Sequence, residues 1–166
     1  MHFFLILQQN QCFMELSTSK MNAFLFFKLP AAFWSGVRVK SISEQKCVAT
    51  VKHRWFNQNP FKSMYFAVQA MAAELTTGSL VMIQIRKSGK NISMLVANNK
   101  GSFSKKATGR LTFTCNDGNA IAAAIQKAIE TKEGQTIWMQ SIGVDESGDQ
   151  VSEFHFEWTV KIKPGA

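Results

Sequence analysis

Residues 57–80, NQNPFKSMYFAVQAMAAELTTGSL, place one carboxylate, Glu74, inside a run of apolar side chains with the composition of a core helix. An ionised carboxylate without a partner is costly to bury, so Glu74 is expected to be exposed, paired with a cation, or kept for chemistry. Pro60 forces Asn59 out of the helical region, and Ser63 is well placed to be the N-cap of the following helix. The stretch therefore predicts a loop that leads into a long apolar helix.

The small side chains of this helix are expected to lie on the same side as its acid. At 100° per residue, one narrow stripe contains Ser63, Ala67, Ala70 and Glu74. Small side chains let another backbone or a slender ligand approach, and partial desolvation there raises a carboxylate pKa toward that of a general base. The first N–H groups of the helix are suited to bind a developing oxyanion, so both parts of an acyl-transfer site fit on one helix.

Two local alternatives stay open at this point. Glu74 also fits an ion pair with a Lys or Arg, or contact with water past Gly78, and structural ion pairs perturb a pKa as well. Asn59 also fits a purely local role as the turn residue before Pro60.

The segments on either side of the helix predict a sheet and further helices. Upstream, residues 22–36 predict one or two short helical pieces broken by Pro30, and residues 37–44 and 46–56 predict two antiparallel strands. Gly78 is a plausible break, and residues 79–87 fit both a helix and a strand. Downstream, the pattern predicts strands at 92–97, 102–115, 136–144 and 150–163 and an amphipathic helix at 120–134. One shared core of strands and helices makes this an α+β domain with a largely antiparallel sheet.

The length and composition are typical of one globular domain. The 166 residues are 46% hydrophobic and 18% charged, and we expect a loose tail at 1–20 before a single domain at 21–166. The first residues lack the positive region and cleavage site of a signal peptide, and no run reaches the roughly 18 apolar residues of a membrane span. Three cysteines without a CxxC spacing, and no ligand-like pair of histidines, predict a reducing cytoplasm and no metal. We take the two central cysteines, Cys47 and Cys115, as small core residues rather than nucleophiles.

The net charge of +8 suits nucleic acid, an anionic membrane surface, or a phosphate-bearing molecule such as a coenzyme A thioester. The cations are scattered with no run of five or more, so the dense stripe of a duplex-binding protein is missing. We therefore expect no nucleic-acid partner.

The loop-helix block also carries a family resemblance. The residues concerned are Asn59, Pro60, Phe61, Ser63, Phe66, Ala70, Met71, Ala72, Ala73, Glu74 and Gly78, followed by the strand text FSKKATGRLTFTC. Over about residues 21–163 the chain resembles the hotdog-fold thioesterase superfamily, and within it a thioesterase-like branch of unknown function. The resemblance implies a hotdog fold, with an antiparallel sheet of about five to six strands around a long central helix, an N-terminal helix and a second helix. It also implies homodimers or dimers of dimers, whose sheets join edge to edge and whose acyl thioester sites lie at the dimer interface.

The resemblance assigns roles to individual residues. Hotdog thioesterases carry a catalytic acid on the central helix four residues before a small residue, which matches Glu74 and Gly78. Tyr65-Phe66-Ala67 stands where those enzymes have His-Gly-Gly, so the oxyanion donors fall at the N–H groups of Phe66 and Ala67, and Asn59 would orient water or the carbonyl. The expected substrate-binding residues are Ser63, Tyr65, Phe66, Ala67, Ala70, Lys105, Lys106 and Arg110. The last three are included because their positive charge suits the phosphates of the coenzyme.

The leading hypothesis is an acyl-CoA or acyl-carrier thioester hydrolase in which Glu74 is the general base or nucleophile. Coenzyme A would be part of the substrate, so no cofactor is expected. The alternative is a non-catalytic hotdog module that binds an acyl chain or a protein partner, which the missing His-Gly-Gly favours. A dehydratase or hydratase of the same fold is weaker, because those enzymes pair a His with the acid and residues 57–80 contain no His.

Overall fold

The computed structural model describes residues 17–163, so most of the predicted tail lies outside the described residues. The chain enters through two helices, α1 (Thr18–Lys28) and α2 (Pro30–Trp34), as the break at Pro30 predicted. Pro30 begins α2, a position at which its missing N–H costs no hydrogen bond. The predicted domain boundary after residue 20 falls inside α1.

Six antiparallel strands form one sheet, which confirms the predicted α+β class. The strands are β1 (Arg38–Ile42), β2 (Cys47–Lys52), β3 (Ile92–Phe103), β4 (Arg110–Cys115), β5 (Gln135–Val144) and β6 (Gln150–Ile162). Their order across the sheet is β1-β2-β4-β5-β6-β3, so β1 and β3 are the edges. Along β6, Phe154, Phe156 and Trp158 are buried while His155 and Glu157 between them are partly exposed, as the period of two predicted.

Three predicted strands have the wrong bounds, and the one predicted at 92–97 continues to Phe103. The strand predicted at 46–56 stops at Lys52, because residues Trp55–Asn57 form a 3-10 turn whose Asn57 amide donates to the Lys52 carbonyl oxygen at 2.9 Å. The strand predicted at 102–115 is two elements, since β3 runs to Phe103 and β4 begins only at Arg110. Gly109, at φ +67°, makes the bend before β4.

Two long helices complete the fold, α3 (Phe66–Ser88) and α4 (Gly118–Thr131). The break predicted at Gly78 is wrong, and the ambiguous residues 79–87 continue α3. Gly78 is needed for packing: a Cβ there would lie 3.1 Å from the ring of Trp158 on β6. The left-handed residue after α4 is Lys132, at φ +60°, and not the Gly134 predicted as its stop.

The core lies between the sheet and α3, which packs against β2, β4, β5, β6 and α4. Every residue of α3 from Thr76 to Val81 is buried. Among the described residues, α3 is the one helix long and apolar enough to cross a membrane, and 61% of its most apolar window is buried inside the fold. Burial of this extent is typical of the core helix of a globular domain.

Candidate functional site

The loop before α3 is organised by Asn59. Its Oδ1 accepts hydrogen bonds from the backbone N–H groups of Phe61 at 3.0 Å and Ser63 at 3.2 Å, and its Nδ2 lies 3.0 Å from the Ser63 hydroxyl oxygen. Lys62, at φ +57°, completes the turn. The Asn59 amide is therefore engaged within its own loop, which is the local role that the Asn-Pro pair allowed.

The helix start is left without a side-chain cap. The N-cap of α3 is Tyr65, so the prediction that Ser63 caps the helix is wrong; the Ser63 hydroxyl bonds to Asn59 instead. Within the described residues, the backbone N–H groups of Phe66 and Ala67 have no hydrogen-bond acceptor. Two neighbouring donors at a helix N-terminus are suited to stabilise negative charge on a bound oxygen.

A cavity of about 380 Å³ opens beside this helix start. Its lining combines the loop, the first turn of α3 and the segment after β3: Asn59, Pro60, Phe61, Ser63, Met64, Tyr65, Phe66, Gln69, Phe103, Lys105, Lys106 and Ala107. Six of the predicted site residues are among them, namely Asn59, Ser63, Tyr65, Phe66, Lys105 and Lys106. Glu74, Ala67, Ala70 and Arg110 do not line it.

Aromatic rings form one wall of the cavity. Tyr65 and Phe66 meet edge to face with ring centroids 4.9 Å apart, and Phe66 meets Phe103 in the same way at 6.5 Å. Phe103 is anchored on Phe154 of the core at 5.5 Å. This wall is apolar and wide enough for an acyl chain or an aromatic group. Phe103 is not among the predicted site residues, because the sequence pattern placed it near the start of the strand predicted at 102–115 and not at the end of β3.

Gln69 is a second lining residue that the sequence analysis missed. It is only 3% exposed, and its Nε2 donates to the Met64 carbonyl oxygen at 3.3 Å. Its Oε1 has no hydrogen-bond partner among the described residues. The available signal was a polar residue on the buried side of an apolar helix, where an unpartnered amide oxygen is costly.

The three predicted phosphate-binding cations differ in their surroundings. Lys105 forms ion pairs with Asp145 and, at 2.7 Å, with Asp149, so its charge is already neutralised. Lys106 is exposed and forms no ion pair within the described part of the chain. Arg110 lies at the start of β4, opposite Lys52 of β2, and away from the cavity lining. Lys106 is therefore the best placed of the three to bind an anionic group.

Glu74 is partly buried on α3, and burial raises the pKa of its carboxyl above the ordinary value. Its carboxylate has no hydrogen bond or ion pair with any described residue. A Cβ at Gly78 would lie 3.6 Å from Glu74 Oε1 and 3.1 Å from the Trp158 ring, so the carboxylate and the indole approach each other across this glycine. An ion pair of Glu74 with a Lys or Arg, one of the alternatives above, does not form among these residues.

Within one copy of the chain, the Glu74 carboxylate and the free N–H groups of Phe66 and Ala67 lie too far apart to contact the same substrate atom. Glu74 follows Phe66 by eight residues, which is roughly 12 Å along the helix axis. A glutamate side chain is too short to close that distance. Both groups thus lie on one helix, as expected, but a single carbonyl cannot contact both in one copy.

Other reactive side chains have structural surroundings. Cys47 and Cys115 are free, buried and opposite each other on β2 and β4, and burial raises the pKa of each thiol to about 12. They are core residues, as predicted, because the thiolate is strongly disfavoured there.

His155 pairs with Glu153 at 2.6 Å on the outer face of the sheet. Among the described residues no cluster of three His, Cys, Asp or Glu could hold a metal ion.

Comparison with known proteins identifies the architecture. A family model described as "Domain of unknown function (DUF4442)" matches residues 18–160. A search of curated protein sequences finds no match.

Several solved structures share the fold. A protein from Pseudomonas aeruginosa described as a probable thioesterase has a TM-score of 0.79 at 20% identity, over 90% of this chain and 99% of that one. A thioesterase from Haemophilus influenzae has a TM-score of 0.68 at 10% identity, over 92% and 96% of the two chains. A protein of unknown function from Chlorobaculum tepidum has a TM-score of 0.75 at 14% identity, over 88% and 94%. These similarities confirm the hotdog fold that the resemblance implied.

Proposed function

We propose that this chain, which belongs to the DUF4442 family, hydrolyses acyl thioesters. The observation that carries the proposal is Glu74, a partly buried carboxylate without a cation, on the helix whose first N–H groups are free beside an apolar cavity. The thioesterases among the structures of the same fold support it at the level of architecture.

The proposed chemistry uses the carboxylate and the helix start in separate roles. Ionised Glu74 accepts a proton from a water molecule as the water oxygen attacks the thioester carbonyl carbon. The N–H groups of Phe66 and Ala67 stabilise the oxyanion of the tetrahedral intermediate. Collapse of the intermediate breaks the carbon–sulfur bond, and the leaving thiolate takes the proton. In the alternative version, the Glu74 carboxylate attacks the carbonyl carbon, the carbon–sulfur bond breaks to release the thiolate, and water then hydrolyses the resulting anhydride.

The surroundings of the cavity suggest how a substrate would lie. The aromatic wall of Tyr65, Phe66 and Phe103 would receive the acyl group. Lys106 would bind a phosphate of coenzyme A or of a carrier's pantetheine arm, because its charge is not already neutralised in the way that the charge of Lys105 is.

We further propose that the site is completed by a second copy of the chain in a homodimer or a dimer of dimers. Within one copy, roughly 12 Å of helix rise separates the backbone of Glu74 from that of Phe66. In the described sheet, β3 pairs only with β6, so alternate residues along its twelve-residue length present unpaired N–H and C=O groups at the sheet edge. An exposed edge of that length is a ready template for pairing with another chain. Phe103 ends β3 and lines the cavity, so pairing of two β3 edges would bring the second copy to the site.

The decisive experiment is hydrolysis of a panel of acyl-CoAs by wild type and Glu74→Gln. We expect kcat to fall by about 100-fold or more, because a positioned general base contributes on that scale. Glu133→Gln is the matched control, since Glu133 is exposed in the connection between α4 and β5. Equal rates for wild type and Glu74→Gln would remove Glu74 from the mechanism, and the absence of turnover of every thioester would overturn the proposal.

A non-catalytic module that binds an acyl chain or a protein is the second candidate function. The observation in its favour is that Tyr65 and Phe66 bring bulky rings to the helix start, and both line the cavity. Native mass spectrometry of the purified protein would then show a retained lipid, together with no turnover of any thioester.

We also propose a cytoplasmic location, which the free, buried thiols of Cys47 and Cys115 support. Detection of the tagged chain outside the cell after fractionation would contradict it.

A further inference from the structure

Most of the net positive charge of the chain lies in one segment. Residues 17–73 contain eight Lys or Arg residues and one acid, Glu44, and so hold +7 of the net charge of +8. Glu44 is itself paired with Lys87 of α3, from outside this segment. No cation of residues 17–73 forms an ion pair with any residue that the structure describes. Charge asymmetry of this kind is typical of proteins that bind an anionic surface.

The same segment exposes large aromatic side chains. Trp55 is 82% exposed, Phe27 75%, Phe56 67% and Trp34 66%. Rings exposed to this extent gain little from the fold itself, and two of them have a cation next to them in the sequence, Phe27 with Lys28 and Trp55 with Arg54. None of them lines the cavity described above.

These aromatic side chains form a connected surface. Phe26 meets Phe27 at 4.9 Å and Phe33 at 5.0 Å, and Phe33 meets Trp34 at 5.8 Å. The turn that carries Trp55 and Phe56 lies beside the end of α2, because the Asn57 amide donates to the Ser35 carbonyl oxygen at 3.0 Å. The two tryptophans thus lie on neighbouring turns. We call this surface the aromatic basic face: Phe26, Phe27, Trp34, Trp55, Arg38 and Arg54.

Among the described residues, no carboxylate forms an ion pair with Arg38 or Arg54, the two cations of the aromatic basic face. The Arg38 guanidinium lies 3.7 Å from the centroid of the Phe33 ring and donates to the carbonyl oxygens of Phe33 and Val37, both at 2.7 Å. Burial, and then the nearby charge of Arg54, lower the pKa of Arg38. Two like charges close together, with no acid between them, favour an anion that comes from outside the chain.

We propose that the aromatic basic face docks on a membrane that contains anionic lipids, as a peripheral contact that does not cross the bilayer. The tryptophan and phenylalanine rings enter the headgroup region, where a ring is buried and an indole N–H still finds an acceptor. Arg38 and Arg54 attract the anionic headgroups. An acidic protein partner would also match the positive charge. It would not explain why aromatic rings on neighbouring turns are exposed to solvent. This inference does not depend on the thioesterase proposal.

The test is co-sedimentation of the full chain with vesicles of phosphatidylcholine alone or of phosphatidylcholine mixed with phosphatidylserine. We expect binding to the mixed vesicles that weakens as salt is raised, and little binding to phosphatidylcholine alone. The double variant Trp34→Ala/Trp55→Ala and the variant Arg54→Glu should each weaken the binding by roughly tenfold. All variants keep residues 1–16, so the apolar residues of that stretch contribute equally to every measurement.

Matched controls separate the aromatic basic face from general effects. Trp138→Ala removes a partly exposed tryptophan on β5, and Lys127→Glu makes the same change of net charge on α4. Both should bind vesicles as wild type does, and melting curves should show that all variants are folded.

Three outcomes would overturn the proposal. The first is an equal loss of binding in the controls. The second is wild-type binding by Trp34→Ala/Trp55→Ala. The third is retention of the chain on an acidic polypeptide such as polyglutamate without any binding to vesicles. Sedimentation velocity adds a further check, because a changed oligomeric state in the double tryptophan variant would assign this face to a second copy of the chain.

Discussion

The two halves of α3 treat their polar groups differently. In the second half, Thr76 bonds to the Ser141 hydroxyl at 2.8 Å, the Thr77 hydroxyl accepts from Trp158 Nε1 at 3.0 Å, and Gln84 donates to a backbone carbonyl oxygen at 2.8 Å. In the first half, Glu74 has no partner among the described residues and the amide oxygen of Gln69 is also unpaired. Apart from the buried Ser79 hydroxyl, the second half therefore satisfies its buried polar groups within the fold, whereas the first half has polar groups left for a ligand.

We therefore infer that the second half of α3 contributes mainly to stability and the first half mainly to activity. Changes in the first half should alter activity more than stability, and changes in the second half should do the opposite. The following experiments test that division, from the largest expected effect to the smallest.

Phe66→Pro should give the largest effect. Proline is tolerated at the first helical position, and Tyr65 already has the extended conformation, φ −60° and ψ 135°, that a residue before proline prefers. The substitution removes one oxyanion donor, so kcat should fall by about 100-fold to 1000-fold relative to Phe66→Ala, which loses the ring but keeps the N–H. Equal activity of the two variants would place the oxyanion elsewhere.

Mixing Phe66→Pro with Glu74→Gln tests whether the site is shared between two copies. Unfolding and refolding the two inactive variants together should restore up to about a quarter of wild-type activity, because half of the dimers are mixed and each has one intact site. A mixture that stays inactive, although mixed dimers form, would place both groups in one copy.

Thr76→Val should lower the free energy of unfolding by about 1–3 kcal/mol, because the buried Ser141 hydroxyl loses its partner. Thr76→Val/Ser141→Ala should be less destabilised than the sum of the two single variants, since neither group then remains unpaired. Chemical denaturation measures both effects. Activity per folded molecule should stay near wild type, and a large loss of kcat in Thr76→Val would contradict the division of the helix.

Gly89→Ala tests the end of the packing half. Gly89 follows α3 with φ +64°, a conformation that costs a residue with a Cβ about 1 kcal/mol. Gly134→Ala is the control, because its φ is not positive and its added Cβ would have no neighbour closer than 3.8 Å. Equal melting temperatures for the two variants would show that the end of α3 adds little to stability.

The smallest effect is the pH dependence of stability that Glu74 causes. Burial raises its pKa above 4.5, so between 4.5 and the raised value the folded chain binds more protons than the unfolded chain. Stability therefore falls as pH rises through that window. Glu74→Gln should be more stable than wild type at neutral pH, and the difference should vanish below pH 4.5. Thermal melts across this range measure it, and a constant difference would mean that the carboxylate is not desolvated in the fold.

Much of the fold followed from patterns that are local in the chain. The alternation along β6, the break at Pro30 and the long apolar run after Asn59 each specify an element through its own backbone and burial. The wrong predictions concern places where the local structure depends on a residue far away in the chain. Gly78 interrupts the pattern of α3, but the helix continues because Trp158, eighty residues later, fills the space of the missing side chain.

The candidate site was predicted in part for the same reason. Asn59, Ser63, Tyr65 and Phe66 line the cavity because they are close together in sequence. Phe103 and Gln69 were missed, because their place in the lining depends on how β3 and α3 pack. The neutralised charge of Lys105 also could not be foreseen, since its partners Asp145 and Asp149 lie 40 and 44 residues later, in the turn between β5 and β6.

The sequence by itself determined the α+β class, the long central helix and the small-residue stripe that carries Glu74, because these depend on periodicity and on residue size. Only the tertiary structure decided that Glu74 has no cation beside it and that Phe103 reaches the cavity beside the start of α3. Both are distances between groups in space, and the order of residues along a chain does not specify them.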